Sequence, residues 1–255
     1  MPQKPHWPLG LDLGPQVFQF QDRYHEDLIA ERLATLFDYA WGISEIEWDT
    51  QGLATGQVAL KHVRAILPDG TPVACSQSAP SSCPARVVRD LGPRTSVEVY
   101  LALPKSGSGT VGDDTKPRRH TRERVLVPDY ANGGDAVELE WLRPNLELRF
   151  EGEALERHTT LACGRLVRTA AGGIAFDVSF VPPVLSIGAS GFLASELRRV
   201  VDGLASRRTA LRRAPLRDAT DAPRQWLLGL ISGFIPKLSD VIDRRAHPHL
   251  AYRAL

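Results

Sequence analysis

The chain has 255 residues, with 31 basic and 30 acidic side chains, 43% hydrophobic residues and 24% charged ones. Those fractions exclude disordered, collagenous and purely coiled-coil chains, and this length buries roughly 70–75% of the unfolded surface, enough for one large core or two small ones. A formal net charge of +1 supplies no overall field to hold nucleic acid or an acidic membrane.

The first fifteen residues carry prolines at positions 2, 5, 8 and 15 and no apolar run, so no signal peptide is expected and residues 1–20 read as an arm. Gln21 to Trp41 predict a helix. Tyr24, Leu28, Ile29, Leu33, Leu36 and Phe37 recur at spacings of three and four, Asp22 is placed to cap the start, and Gly42 to close the end.

From Ile43 to Asp177 the period shortens. Ile43–Trp48, Gln57–Leu67, Ser96–Leu103, Val137–Trp141, Leu146–Phe150, His158–Arg168 and Ile174–Val178 suit strands, with turns at Pro68-Asp69-Gly70 and Ala171-Gly172-Gly173. Short strands at this spacing, with little helical period between them, predict an antiparallel β-sandwich. Ser76–Pro84 and Lys105–Arg124 read as long loops.

Pro182-Pro183 ends the β pattern, because two prolines cannot continue a ladder. The fold class expected is therefore mainly β with helices: a sandwich over residues 21–183, then a helical region over 184–255. Leu193, Leu197, Val200, Leu204 and Leu211 form one heptad-like seam, and Leu227, Ile231, Phe234, Leu238 and Val241 a second. Narrow seams on short helices need partners. Pro236 lies inside the second helix and is expected to kink it near Ser232. Residues 186–255 carry 12 basic and 6 acidic side chains between the seam positions, as a solvated face does. The last residues, His249–Leu255, keep helical character without a stop signal, which reads as a truncated end.

No catalytic constellation emerges. Gly107-Ser-Gly109-Thr-Val-Gly112 matches GxGxxG, but Asp113 and Asp114 follow it where a phosphate-binding helix would start, so it reads as a loop. Cys75 and Cys83 lack the short paired spacing of a zinc site, and His247-Pro-His249 is no better. Three cysteines, Cys163 among them, make no disulfide framework and fit a reducing compartment, while buried packing is expected for Cys163. The run Lys116-Pro-Arg118-Arg119-His120-Thr-Arg122 lacks the aromatics that stack bases and favours protein contact. Glu138, Glu140, Glu147, Glu151 and Glu153 admit a rival reading, a β-sandwich hydrolase working with two strand carboxylates. Glu138 and Glu140 alternate with Val137, Leu139 and Trp141, and Glu147 with Leu146 and Leu148, which fits the wet face of a sheet instead. No stretch of about 18 apolar residues exists, so no membrane-spanning helix is expected.

Several segments resemble one family in matching order. Leu13-Gly14-Pro15-Gln16-Val17-Phe18-Gln19-Phe20-Gln21-Asp22-Arg23-Tyr24, Tyr39-Ala40-Trp41-Gly42, Val99-Tyr100-Leu101-Ala102-Leu103-Pro104, Phe180-Val181-Pro182-Pro183 through Ser190, Gln225-Trp226-Leu227-Leu228 and His247-Pro248 through Leu255 are similar to TssK, the baseplate subunit family of bacterial type VI secretion also called ImpJ or VasE. The resemblance implies a trimeric structural adaptor and no enzyme, with no cofactor or metal. It implies a shoulder like that of phage receptor-binding proteins and a trimerising neck. Copies would meet along Leu193, Leu197, Val200, Leu204, Leu211, Leu227, Ile231, Phe234, Leu238 and Val241. Partners implied are TssF and TssG at the shoulder. A head beyond Leu255 would reach TssL and TssM of the TssJ–TssL–TssM membrane complex. A cytoplasmic location at the inner membrane follows, with no nucleic acid bound and no direct membrane insertion.

Overall fold

A computed structural model describes residues 3–77, 83–105, 118–129, 131, 133, 135–213 and 222–254. The elements in chain order are α1 (Pro15–Leu36), β1 (Gly42–Trp48), α2 (Thr50–Leu53), β2 (Gln57–Ile66), β3 (Pro72–Ser76), β4 (Ala85–Val87), β5 (Ser96–Pro104), β6 (His120–Val127), β7 (Val137–Pro144), β8 (Glu147–Phe150), β9 (His158–Arg168), β10 (Ile174–Phe176), α3 (Gly191–Arg213), α4 (Ala222–Asp243) and α5 (Pro248–Ala254). The fold is mixed, as expected: antiparallel sheets first, helices toward the C-terminus. One sheet has the order β1-β2-β3 with β4 on β2, a second has the order β10-β9-β5-β8, and β6 and β7 form a two-stranded sheet of their own.

The chain divides into two compact units that are not linear in sequence. The first gathers residues 1–46, 64–72 and 178–255, and the second residues 47–63 and 73–177.

In the first unit, α1 begins at Pro15 rather than Gln21. Proline fixes φ at a helical value and lacks only an N–H that the first turn would leave unpaired, so Pro15 starts the helix after Gly14. Asp22 therefore lies inside α1, and the helix ends at Leu36, where the Phe37 N–H bonds the Leu33 carbonyl and the backbone becomes extended. Gly42 opens β1 instead of capping α1. Its φ is +140°, and a Cβ there would sit 3.0 Å from the Pro183 carbonyl oxygen, which is why the position requires glycine. The double proline ends the β region where expected, yet the backbone around it still pairs. The Ile43 N–H donates to Pro183 O at 2.9 Å and the Leu185 N–H to Ile43 O at 2.8 Å, a parallel bridge. Ile43, Leu67, Ile187, Ile231, Leu238 and Ile242 are buried in this unit. α4 runs through Pro236 as one helix.

In the second unit the core is built on alternation. Val97, Val99, Leu101 and Leu103 of β5 are buried beside Leu161 and Leu166 of β9, while Glu98 and Tyr100 turn outward. The sheets meet through Trp48, whose ring lies 4.7 Å from that of Phe176, and a Cβ on Gly164 would stand 3.0 Å from Trp48. Cys163 is the extra residue of a bulge, since Val99 pairs with Gly164 and Tyr100 with Ala162. Its thiol is buried as expected and donates to the Val99 carbonyl at 3.3 Å. Burial raises that thiol's pKa.

Two expectations are corrected here. Cys75 and Cys83 form a disulfide, with Cα atoms 5.3 Å apart, a separation that a bridge spans without backbone movement. The end of the expected loop Lys105–Arg124 is strand, because His120–Arg124 pair with β7. Residues 78–82 and the GxGxxG run at 107–112 lie outside the described residues.

Candidate assembly surfaces

Two long helices of the first unit are poorly covered. Neither α1, with 22 residues, nor α3, with 23, buries a single residue. Along α1, Val17, Gln21, Tyr24 and Leu28 are half-buried. Roughly a third of a turn away, at 3.6 residues per turn, Phe18, Ile29, Leu33 and Leu36 form an open apolar face. Ala30 receives the turn between β2 and β3. Gly70 sits there at φ +83°, where a Cβ would approach the Ala30 methyl to 2.7 Å.

α3 packs on α4. Its half-buried positions include Leu193, Leu197, Val201, Leu204, Arg208 and Leu211, and the Arg224 guanidinium of α4 donates to the Leu211 carbonyl in the last turn of α3. Of the ten residues expected at an interface between copies, Ile231 and Leu238 are already buried by their own chain. Val200 is 45% exposed, and Leu193, Leu197, Leu204, Leu211, Leu227, Phe234 and Val241 are half-buried. Trp226, Leu230 and Phe192, which the seam pattern did not single out, are exposed.

His247 of the His-Pro-His run has a structural part. Its Nδ1 accepts the His249 N–H at 3.1 Å, which leaves Nε2 as the protonated nitrogen, and Nε2–H donates to the Tyr39 carbonyl at 3.1 Å. The imidazole thus ties the segment after α1 to the turn before α5.

The second unit holds the strand carboxylates, each beside a guanidinium. Glu138 stands 3.5 Å from Arg124, Glu140 3.8 Å from Arg124, Glu147 2.6 Å from Arg149, Glu151 3.9 Å from Arg94 and Glu153 2.7 Å from Arg86. A shallow depression of about 250 Å³ is lined by Asp90, Glu151 and Glu153 with Leu91, Arg94 and Phe150. Burial pushes the Glu153 carboxyl up, but the Arg86 hydrogen bond and the charges of Arg86 and Arg149 outweigh it and hold the carboxyl below its usual range. The Arg168 hydrogen bond does the same for Asp90. A glycosidase acid needs a raised pKa, and the shifts of Glu153 and Asp90 run the other way. Among the described residues, no three His, Cys, Asp or Glu side chains converge as metal ligands.

The basic run is built into the β6–β7 hairpin. Arg119 donates to the Pro104 carbonyl at 3.0 Å, and Arg122 stands 3.9 Å from Glu140. Lys116 and Pro117 lie outside the described residues. This hairpin is an open apolar surface of the second unit, with Leu126, Val137, Leu139, Trp141 and Leu142 exposed.

An antiparallel sandwich joined to helices with uncovered apolar faces places the chain among the components of larger assemblies. Comparison with known proteins gives the particular family. Residues 17–255 match the bacterial type VI secretion family described by EvfL, ImpJ and VasE. The type VI secretion baseplate component TssK1 of Pseudomonas aeruginosa is 31% identical over an alignment of 217 residues, covering 80% of this chain and 47% of that protein. A cryo-electron microscopy structure of the TssK–TssF–TssG baseplate subcomplex contains a chain of the same fold. Its TM-score is 0.86 at 29% identity, over 99% of this chain and 84% of that one. A chain of the type VI secretion baseplate complex matches with a TM-score of 0.86 at 30% identity, over 99% of this chain and 60% of that one. The chain belongs to the TssK (ImpJ/VasE) family of type VI secretion baseplate components, and it spans about half the length of the curated relative it matches. Among the described residues, no helix is long and apolar enough to cross a membrane.

Proposed function

We propose that the chain is a structural adaptor of a type VI secretion baseplate that works as a homotrimer. The observation that carries this reading is the pair of long helices, α1 and α3, in which no residue is fully buried in a single copy. A helix of this length gains most of its stability from a covered apolar face, and sister copies are the cover this reading supplies. In this reading residues 1–20 are an arm, 21–183 the shoulder and 184–255 the neck, whose seam residues meet those of sister copies.

The shoulder docks on TssF and TssG, in keeping with the subcomplex that contains a chain of this fold. The link to the TssJ–TssL–TssM membrane complex runs through the head that the family adds to shoulder and neck. The protein then works in the cytoplasm at the inner membrane, by contact and without chemistry. The hydrolase alternative gains nothing from the carboxylates, since each of the five is beside an arginine.

The test joins mass to partner capture. Sedimentation of the 255-residue chain is expected to give three copies, and the chain is expected to co-purify with co-expressed TssF and TssG. Phe192→Asp with Val200→Asp, both on the open side of α3, is expected to lower the mass while the far-ultraviolet spectrum keeps its shape. A monomeric parent that captures neither partner refutes the reading.

A further inference from the structure

β6 and β7 stand apart from both larger sheets and pair only with each other among the described residues. A two-stranded sheet is marginal in water and needs a further layer or further strands. Its register sorts the side chains into two faces. One carries Val125, Val127, Val137, Leu139 and Trp141, closed at the base by the Glu123–Arg143 ion pair. The other carries Arg122 and Arg124 on β6 and Glu138 and Glu140 on β7, with Leu126 and Leu142 at its ends. On this second face the charges are sorted by strand, arginines on β6 and glutamates on β7, while the Glu123–Arg143 pair of the first face has the reverse order.

We infer that β6 of one copy pairs with β7 of a second copy of this chain, edge to edge and head to tail. The inference rests on the association of copies proposed above. Charge complementarity selects this occupant and this arrangement. A sister β7 on the outer edge of β6, in the register already used inside the hairpin, sets its Glu140 against Arg124 and its Leu139 against Val125. Each guanidinium then gains carboxylates on both sides, and the apolar face continues across the junction. A two-fold pairing of β6 with β6 would oppose arginines to arginines, and β7 with β7 glutamates to glutamates, so like edges repel. A pairing of unlike edges is heterologous and closes into a ring when three copies turn about one axis. The sheet edges, which would otherwise invite uncontrolled strand addition, are then used up.

Single-cysteine variants of the 255-residue chain test this. Cys163 is buried and Cys75 is bonded to Cys83, so a new exposed thiol reports only on contacts between copies. Leu126→Cys on β6 is mixed with Glu138→Cys on β7, and Arg122→Cys with Leu142→Cys, and each mixture is refolded together and oxidised mildly. Thermal melts confirm that every variant folds. The expected result is a two-copy covalent species from each mixture at least tenfold above that from either variant alone. Equal or greater cross-linking by single variants alone, or none in any mixture, overturns the pairing. The mass of the unoxidised parent separates the two failures. An oligomer without mixed cross-links sinks only the strand pairing, whereas a monomer sinks this pairing and the association it rests on.

Discussion

Changing Ile29, Leu33 and Leu36 of α1 to aspartate loads the open face of that helix with charge while leaving the inner stripe of the same helix intact. The three side chains are 59%, 39% and 74% exposed in the single chain. Together they leave roughly one and three-quarter side chains' worth of apolar surface in water. At about 1.5–3 kcal/mol for a fully covered aliphatic side chain, sister copies that cover them gain about 3–5 kcal/mol per copy. Losing that weakens self-association by roughly 10²–10⁴-fold per copy. Within one copy, the change costs only helix propensity, about 2 kcal/mol over three positions. Sedimentation velocity across a hundredfold concentration range should show the triple variant dissociated where the parent is assembled, with circular dichroism close to parental and a melt lowered by no more than roughly 4–8 °C. Arg23→Ala with Asp27→Ala serves as control, since that exposed ion pair lies on the opposite side of the helix and should leave the mass unaltered. If the triple variant sediments like the parent at every concentration, the exposed face of α1 is ordinary surface and the trimer argument loses its main support.

His247→Ala removes the hydrogen bond to the Tyr39 carbonyl and the acceptor of the His249 N–H. A loss of about 2 kcal/mol, read as a Tm lowered by roughly 4–8 °C, is expected, and an unchanged melt refutes the bridging role. Glu98 offers a pH test. The Arg165 guanidinium and then the Tyr100 hydroxyl, 3.0 and 2.9 Å away, hold its carboxyl below the ordinary range. A folded pKa that is lowered contributes stability above the unfolded value near ~4.3, and that contribution is lost as pH falls through the folded value. Arg165→Met should therefore be less stable than the parent at pH 7, with the difference shrinking toward pH 3 in denaturant melts; a difference constant with pH contradicts the assignment. Tyr100 shows the opposite sign. Burial, and then its bond to Glu98, push the phenol up to about 12, so its contribution holds below ~10 and fades as pH rises toward 12.

Much of the sheet architecture could be read from the order of residues. β9 runs from His158 to Arg168, as alternation predicts, and β5 extends one residue past its expected end. Those strands each bury one face, so hydrophobic period and burial coincide. β6 could not be read that way, because His120-Thr-Arg-Glu-Arg lies in neither core and its partner strand supplies its opposite charges. β3 and β4 are short, and β4 has only three residues, too few for a period to register. The start of α1 was hidden because Pro15 looks like a breaker until it is placed in the first turn, where its missing N–H costs nothing. The seam residues were found by spacing, but spacing does not say which chain fills a seam. Ile231 and Leu238 turned out to be filled by their own chain, while the open ground lies on α1 and at Phe192, Val200, Trp226 and Leu230.

The bridge from Ile43 to Pro183 and Leu185 has a consequence for biogenesis. The first unit draws on residues 1–46, 64–72 and 178–255, so a nascent polypeptide cannot finish it until the last third has left the ribosome. α1 emerges first and must wait, its greasy side bare, while the whole second unit is synthesised and folds. If copies associate as proposed, their recruitment waits until that last third has emerged, and any fragment severed near residue 183 loses the strand end on which the remainder is moored.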